Sequence, residues 1–523
     1  MTVATGIRGA EPIHADAASP PGMIPGLAAL LDDLGEARIR YCSWKSNQHL
    51  AEGLAGLTDL DLLVDRRNAA AFRAIVARHG LKPVLPPRHG AFPAMEHLLG
   101  FDAATGRLFH LHVHYQLVLG ERYVKNHRLP IEDAFFDATG RLHGVPVPRP
   151  EVELSVLAVR TLLKYRARDV AKDVLGIRSP GIPDRTIAEL RWLLERTTVE
   201  EVRAALRAIG DSLPSEIVCR LVDIVTRAPR SGYALLRLRA RLRRTMKSYR
   251  RRGRLRASAE YLGAVWRRRG RFRRRPIETG MLPVGGGLTI AVVGADGSGK
   301  STVTAALAEW LSWKLEVRVL YMGSKEPSRA SRSLYVAFRA LRRGHRTVAS
   351  RLGQGEVVTR QIAWARDLAL ALHHLWIGRD RVRRRRRGER EARAGHVVIF
   401  DRFPLESLGS GREHRLLDGP QVGSALNGSR SGVVRWLSRA EVRMYRGFGL
   451  PDQLIVLDVR PEVAVRRKPD HVPDLLAAKA RAAVELAAFA ETSSGPARVS
   501  RIDANRPLDA VLLDVKATVW DVL

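Results

Sequence analysis

At 523 residues the chain is too long for one hydrophobic core, so two or three domains are expected. Two cysteines, Cys42 and Cys219, cannot build a disulfide framework, and no apolar run reaches the ~18–20 residues of a helical membrane span, so a disulfide-stapled fold and a helical membrane bundle are excluded and a cytoplasmic location is expected. The formal charge of +34 comes mostly from arginine and points to an anionic partner or to strongly basic solvated faces.

In chain order, residues 1–24 are rich in Ala, Pro and Gly, lack a charged-then-apolar signal pattern, and read as a disordered leader. Residues 25–150 mix periods: a helix over 25–34, strands over 39–42 and 60–64, a helix over 68–79 and a strand over 108–117. A strand has a period of two, so Asp59 and Asp61 fall on one face, where two carboxylates can hold Mg²⁺ and a triphosphate. His110, His112 and His114 share a face for the same reason, which suits a hydrogen-bonded ladder or a metal site. Residues 151–234 form a helical extension, broken near Pro180 and Pro183. Residues 235–287 form an arginine-rich segment and a linker that ends in Gly285-Gly286-Gly287. The runs at 250–252, 267–269, 273–275 and 383–387 suit nucleic acid, an anionic membrane or a solvated helix face.

Residues 288–523 alternate strands and helices and read as a parallel α/β domain. The apolar run 288–293 is a buried strand, and the segment Gly294-Ala295-Asp296-Gly297-Ser298-Gly299-Lys300-Ser301-Thr302 fits G-x-x-x-x-G-K-[ST] ahead of a helix over 303–315. Glycines let such a loop aim its N–H groups at phosphate oxygens, and the helix N-terminus adds positive potential. Lys300 then reaches the β and γ phosphates, and the Ser301 hydroxyl serves Mg²⁺. A strand over 396–400 ends in Asp401-Arg402-Phe403, a carboxylate for Mg²⁺ and a guanidinium for a second phosphate. After a buried strand over 454–459, a helix carries Arg466, Arg467 and Lys468, and an edge strand over 499–503 precedes a last helix.

Residues 288–523 resemble the thymidylate kinase family of nucleoside monophosphate kinases in the loop with Asp296, in Asp401-Arg402-Phe403, and in the stretch from Pro451 to Ala464. The resemblance implies a P-loop parallel sheet with helices on both faces and ATP and Mg²⁺ as cofactors. It also implies an arginine lid at Arg466 and Arg467, and a nucleoside monophosphate or related phosphorylated small molecule as acceptor. The family's R-E-P-G-G-T loop is here Lys325-Glu326-Pro327-Ser328-Arg329-Ala330, Ser407 stands one position late, and Gly411-Arg412-Glu413 replaces Ala-Tyr-Gln, which leaves base and sugar recognition open. Residues 25–150 resemble the nucleotidyltransferase superfamily, an α+β fold, with Asp59 and Asp61 as its Asp-x-Asp pair. Lys45-Ser46 stands in place of its Gly-Ser, and His112 or His110 in place of the third carboxylate. The arginine runs keep two alternatives in view: a nucleic-acid end-processing kinase and nucleotidyltransferase, and a non-enzymatic ATP-binding scaffold on an anionic membrane.

Overall fold

The computed structural model describes residues 22–87, 90–121, 123–137, 139–165, 182–209, 213–226, 232–269, 280–324, 326–352, 357–404, 418–426, 431–493 and 498–523. The leader expected over 1–24 falls almost wholly outside the described residues, as do Arg273 to Arg275, Lys325, Ser407 and Gly411-Arg412-Glu413. The chain divides into two units, Met1–Glu278 and Thr279–Leu523. The described residues form a mixed α/β protein that includes a parallel sheet of five strands.

In the first unit, β1 (Tyr41–Ser43), β2 (Asp59–Val64), β3 (Lys82–Leu85), β4 (Met95–Asp102) and β5 (Arg107–His114) run in the spatial order β1-β2-β5-β4-β3. The β2–β5 pair is parallel and the other neighbours are antiparallel. The helix Pro25–Glu36 buries Leu27, Leu30, Leu31 and Leu34, a three-four spacing that gives one apolar stripe. It packs on the helix Ala69–Arg78, which buries Phe72, Ile75 and Val76 at the same spacing. The strand expected over 108–117 is in fact two. It ends at His114, and β6 (Leu117–Glu121) begins after a break where Leu117 N–H leaves the sheet to donate to Glu132 Oε1 at 2.6 Å. β6 pairs with β7 (Val124–Leu129), and β8 (Thr139–Leu142) with β9 (Val145–Pro148). The β8–β9 turn places His143 and Gly144 at φ of 51° and 78°, the left-handed pair that matches the twist of a tight hairpin.

The extension is built around the helix Pro150–Lys164, whose residues from Val152 to Leu163 are buried on almost every side. Helices Asp184–Leu194, Val199–Ile209, Ser215–Thr226 and Gly232–Thr245 complete that core. The hydroxyls of Ser155 and Thr161 are satisfied by the carbonyls of Glu151 and Leu157 one turn back, which lets two polar residues sit in an apolar helix.

In the second unit, β10 (Leu288–Gly294), β11 (Val317–Tyr321), β12 (Val397–Asp401), β13 (Gln453–Asp458) and β14 (Arg498–Asp503) are all parallel, in the order β11-β12-β10-β13-β14. Alternation sends Ala291, Val293, Val398, Phe400, Leu454 and Val456 to one face. There they pack against Ala392 of the helix Val357–Arg393, Tyr445 of Gly432–Arg446 and Ala483 of Pro473–Ser493. Gly388 lets the first of these helices approach closely, since a Cβ there would stand 2.5 Å from the Phe400 ring. The intervening Ile290, Val292, Ile399 and Ile455 are equally buried, and the helices Lys300–Ser312 and Leu508–Val522 cover that face. Asp452 ties two strand starts together: its carboxylate accepts from Thr289 N and Thr289 Oγ1 at 2.7 and 2.8 Å. Its place in the sequence pattern is thus a structural one. Val292 lies in register with Asp401, so the carboxyl ends of β10 and β12 open side by side.

Candidate functional site

The segment from Gly294 to Gly299 leaves the end of β10 and turns into the helix Lys300–Ser312. Gly294, Gly297 and Gly299 hold φ of 150°, 86° and 90°, where an L side chain is strained. Space adds a second constraint at two of them. A Cβ on Gly294 would meet Leu457 O at 2.7 Å, and one on Gly297 would meet Ala464 O at 2.9 Å. The loop therefore presents backbone at the start of a 13-residue helix, whose first N–H groups lack partners within the helix. Lys300 folds back over it, and its ammonium donates to Gly294 O at 2.9 Å and Ala295 O at 2.5 Å. Burial, then the neighbouring charge of Arg402, lowers this ammonium to about 8, against the pull of Asp296, Asp418 and Asp401.

Around that ammonium stands a ring of charges. Asp296 accepts from Lys479 Nζ at 2.6 Å and from Arg402 at 3.2 Å. Burial alone would raise its carboxyl, but the Lys479 hydrogen bond and the charges of Lys300, Lys479 and Arg402 outweigh burial and hold it at about 2. Arg402 also donates to Asp418 at 3.2 Å. Its φ of 68° is left-handed, a strained conformation for arginine that turns the chain sharply after β12. Asp418 is held from behind by Arg381, whose buried guanidinium also donates to Met322 O, Tyr445 Oη and Ser324 Oγ. Asp401 Oδ1 is buried without a hydrogen-bond partner, and burial raises this carboxyl above its ordinary range despite Arg402 and Lys300. Gly294, Asp296, Lys300, Arg402, Asp418 and Lys479 line one small pocket.

Sequence reasoning named Asp296, Lys300, Asp401 and Arg402, which the structure brings together. It missed Asp418, Lys479 and Arg381. Lys479 is a single lysine in an alanine-rich helix and Asp418 follows no motif, so only the fold reveals them. In the basic helix Pro461–Arg467 both Arg466 and Arg467 are exposed, and Arg467 reaches the glycine loop, donating to Gly297 O at 3.4 Å and Ala504 O at 3.0 Å. Ser301 and Thr302 open the helix and are exposed. Part of the arginine surplus is internal structure. Arg384 donates to Tyr321 O, Arg385 lies over the Phe403 ring, and Arg251 donates to Lys125 O.

In the first unit, Asp59 and Asp61 do share a face of β2, but each is taken by a histidine of β5. His110 Nδ1 donates to Asp59 Oδ1 and His112 Nδ1 to Asp61 Oδ1, both at 2.8 Å. Lys45 Nζ shares Asp61 Oδ1 at 2.8 Å. Burial opposes ionisation of Asp61, yet Lys45 and His112 hold it well below the usual carboxylate range. Ser46, at φ 59°, precedes the short helical turn at Asn47. Among the described residues, the group able to hold a metal ion is Asp61, His112 and His114, and Asp59 is outside it.

No family model matches the chain. It is 28% identical over 227 residues to YghS of Escherichia coli K12, named an uncharacterized ATP-binding protein, a match covering 43% of this chain and 88% of YghS. It is 32% identical over 187 residues to YghR of the same strain, which bears the same description, covering 35% of this chain and 69% of YghR. With that identity across more than two thirds of YghR, the chain belongs to the family of the ATP-binding protein YghR.

Proposed function

We propose that the second unit binds ATP at the glycine loop and transfers its γ-phosphoryl group to a nucleoside monophosphate or a related phosphorylated small molecule. One observation carries this reading: three cations, Lys300, Arg402 and Lys479, converge on Asp296 beside a loop in which Gly294 and Gly297 leave no room for side chains. An incoming polyphosphate offers those cations a stronger set of acceptors than two carboxylates and two carbonyls. The description of YghR and YghS as ATP-binding proteins supports the same reading.

In this reading, Lys300 leaves the Gly294 and Ala295 carbonyls for the β and γ phosphates, and the loop N–H groups cradle them. Asp401 and the Ser301 hydroxyl would hold Mg²⁺, and the unpartnered Oδ1 of Asp401 fits that role. The ion supplies charge neutralisation on the phosphates. In this reading Arg402 would clamp the acceptor phosphate, and Arg466 and Arg467 would cover the transferring group. Catalysis here is positioning and electrostatics more than covalent chemistry.

Incubation with γ-labelled ATP and Mg²⁺, across nucleoside monophosphates and sugar phosphates, tests the reading. Label should appear on one acceptor class and vanish in Asp401→Asn. Transfer to water alone, with every acceptor unlabelled, would reject a phosphotransferase.

A further inference from the structure

The histidine face of β5 holds a group of donors that phosphoryl transfer at the glycine loop does not use. The parallel register sets His112 opposite Asp61, and strand alternation sets His114 on the same face. The ring centroids of His112 and His114 lie 4.4 Å apart, and His114 Nε2 is 3.9 Å from Asp61 Oδ1. One oxygen of Asp61 and one nitrogen from each histidine all fall within 4.8 Å of one another.

The hydrogen bonding says which lone pairs are available. His112 Nδ1 and Asp61 Oδ1 stand 2.8 Å apart, bridged by the Nδ1 proton; an ion that replaces this proton is held by both atoms, and the imidazole proton moves to Nε2. That nitrogen is buried with no hydrogen-bond partner, and so are both ring nitrogens of His114, a residue 1% exposed. A buried polar atom without a partner costs about 1–3 kcal/mol, and a ladder built for hydrogen bonding would not leave three at one spot. His97 and His110 illustrate the satisfied alternative: His110 Nδ1 donates to Asp59, and its Nε2 lies 3.2 Å from His97 Nδ1.

We propose that Asp61, His112 and His114 bind a divalent transition-metal ion of the zinc class. Two imidazoles and one carboxylate favour such an ion over Mg²⁺, which takes oxygen ligands, and three protein ligands leave a coordination position for water or a substrate oxygen. Lys45 is the built-in competitor. Its ammonium already sits 2.8 Å from Asp61 Oδ1, so an ion that takes this oxygen must displace it. This site stands apart from the ATP reading of the second unit, and either can fail without the other.

The test uses the full chain, stripped with a chelator and titrated with Zn²⁺, Co²⁺ and Mg²⁺. One Zn²⁺ should bind per chain, at least 100-fold more tightly than Mg²⁺, and Co²⁺ should develop visible d–d absorption. His112→Ala and His114→Ala should each weaken Zn²⁺ by at least 10–100-fold, the loss that even an outer partner causes. His110→Ala should not. Lys45→Met should tighten binding, an effect that a purely structural lysine would not produce. Co²⁺ absorption in the unaltered chain needs no folded variant. Its absence, or Zn²⁺ binding that survives loss of either His112 or His114, would overturn the proposal.

Discussion

Replacing Arg381 by methionine removes the group that holds one side of the second unit's pocket. Its guanidinium makes five hydrogen bonds, to Met322 O, Asp418 O, Asp418 Oδ1, Tyr445 Oη and Ser324 Oγ, at 2.5 to 3.2 Å, and its side chain is 2% exposed. Counted singly these bonds would sum to about 7–15 kcal/mol, but removing the guanidinium also removes its own desolvation cost. Breaking a buried ion pair from one side costs about 3–5 kcal/mol, because the partner is left uncompensated. For a unit the size of residues 279–523 that is about 6–20 °C of melting temperature. Scanning calorimetry of the full chain should show one transition fall by that amount. Arg381→Lys should lose nearly as much, since one ammonium cannot serve five acceptors set for a planar fork. A fall of under about 3 °C in Arg381→Met would refute the reasoning.

The loop glycines should differ in a definite order. Gly297→Ala adds a clash with Ala464 O to a φ of 86° and should weaken ATP binding more than Gly299→Ala, where φ is 90° but no atom lies within 4 Å of the new Cβ; calorimetric titration compares them. Burial, against the Asn47 hydrogen bonds, raises the Glu153 carboxyl to about 7. A carboxyl raised in the fold contributes full stability below its unfolded value near 4.5, and that contribution is lost as pH rises through 7. Denaturant unfolding should therefore show Glu153→Gln gaining up to about 3 kcal/mol relative to wild type between pH 5 and pH 8. Asp296 has the opposite sign: held at about 2, it stabilises above its unfolded value near 3.8 and loses that contribution as pH falls through 2. Asp296→Asn should flatten the acid limb of the stability profile, read by the same unfolding experiment.

Much of the second unit was legible in the sequence because its strands are buried on both faces. Such strands read as unbroken apolar runs, and 288–293, 396–400 and 454–459 correspond to observed strands within one or two residues. The first unit was harder. β4, with Glu96, His97 and Asp102 among its residues, carries no clean alternation, and β6 to β9 are short hairpins whose pairing depends on turns. The helix Val357–Arg393 hid for another reason: its arginines read as solvated charge, while Arg381 is buried and Arg384 and Arg385 reach inward. In the glycine-loop pocket, the residues found from sequence are those tied to a spacing rule. Asp418 and Lys479 arrive from distant segments, so no local pattern marks them. The pairing of Asp59 and Asp61 with histidines is set by the β2–β5 register, which their spacing alone could not supply.

Titration calorimetry of ATP with Mg²⁺ into the wild-type chain and into Lys300→Ala tests the central claim most directly. Lys300 contacts loop carbonyls and no apolar core, so the variant should keep its circular dichroism and melting behaviour. Wild type should bind one ATP per chain, and the variant should lose at least 10-fold in affinity. Equal affinity in a folded Lys300→Ala, or no binding by wild type, would contradict the account.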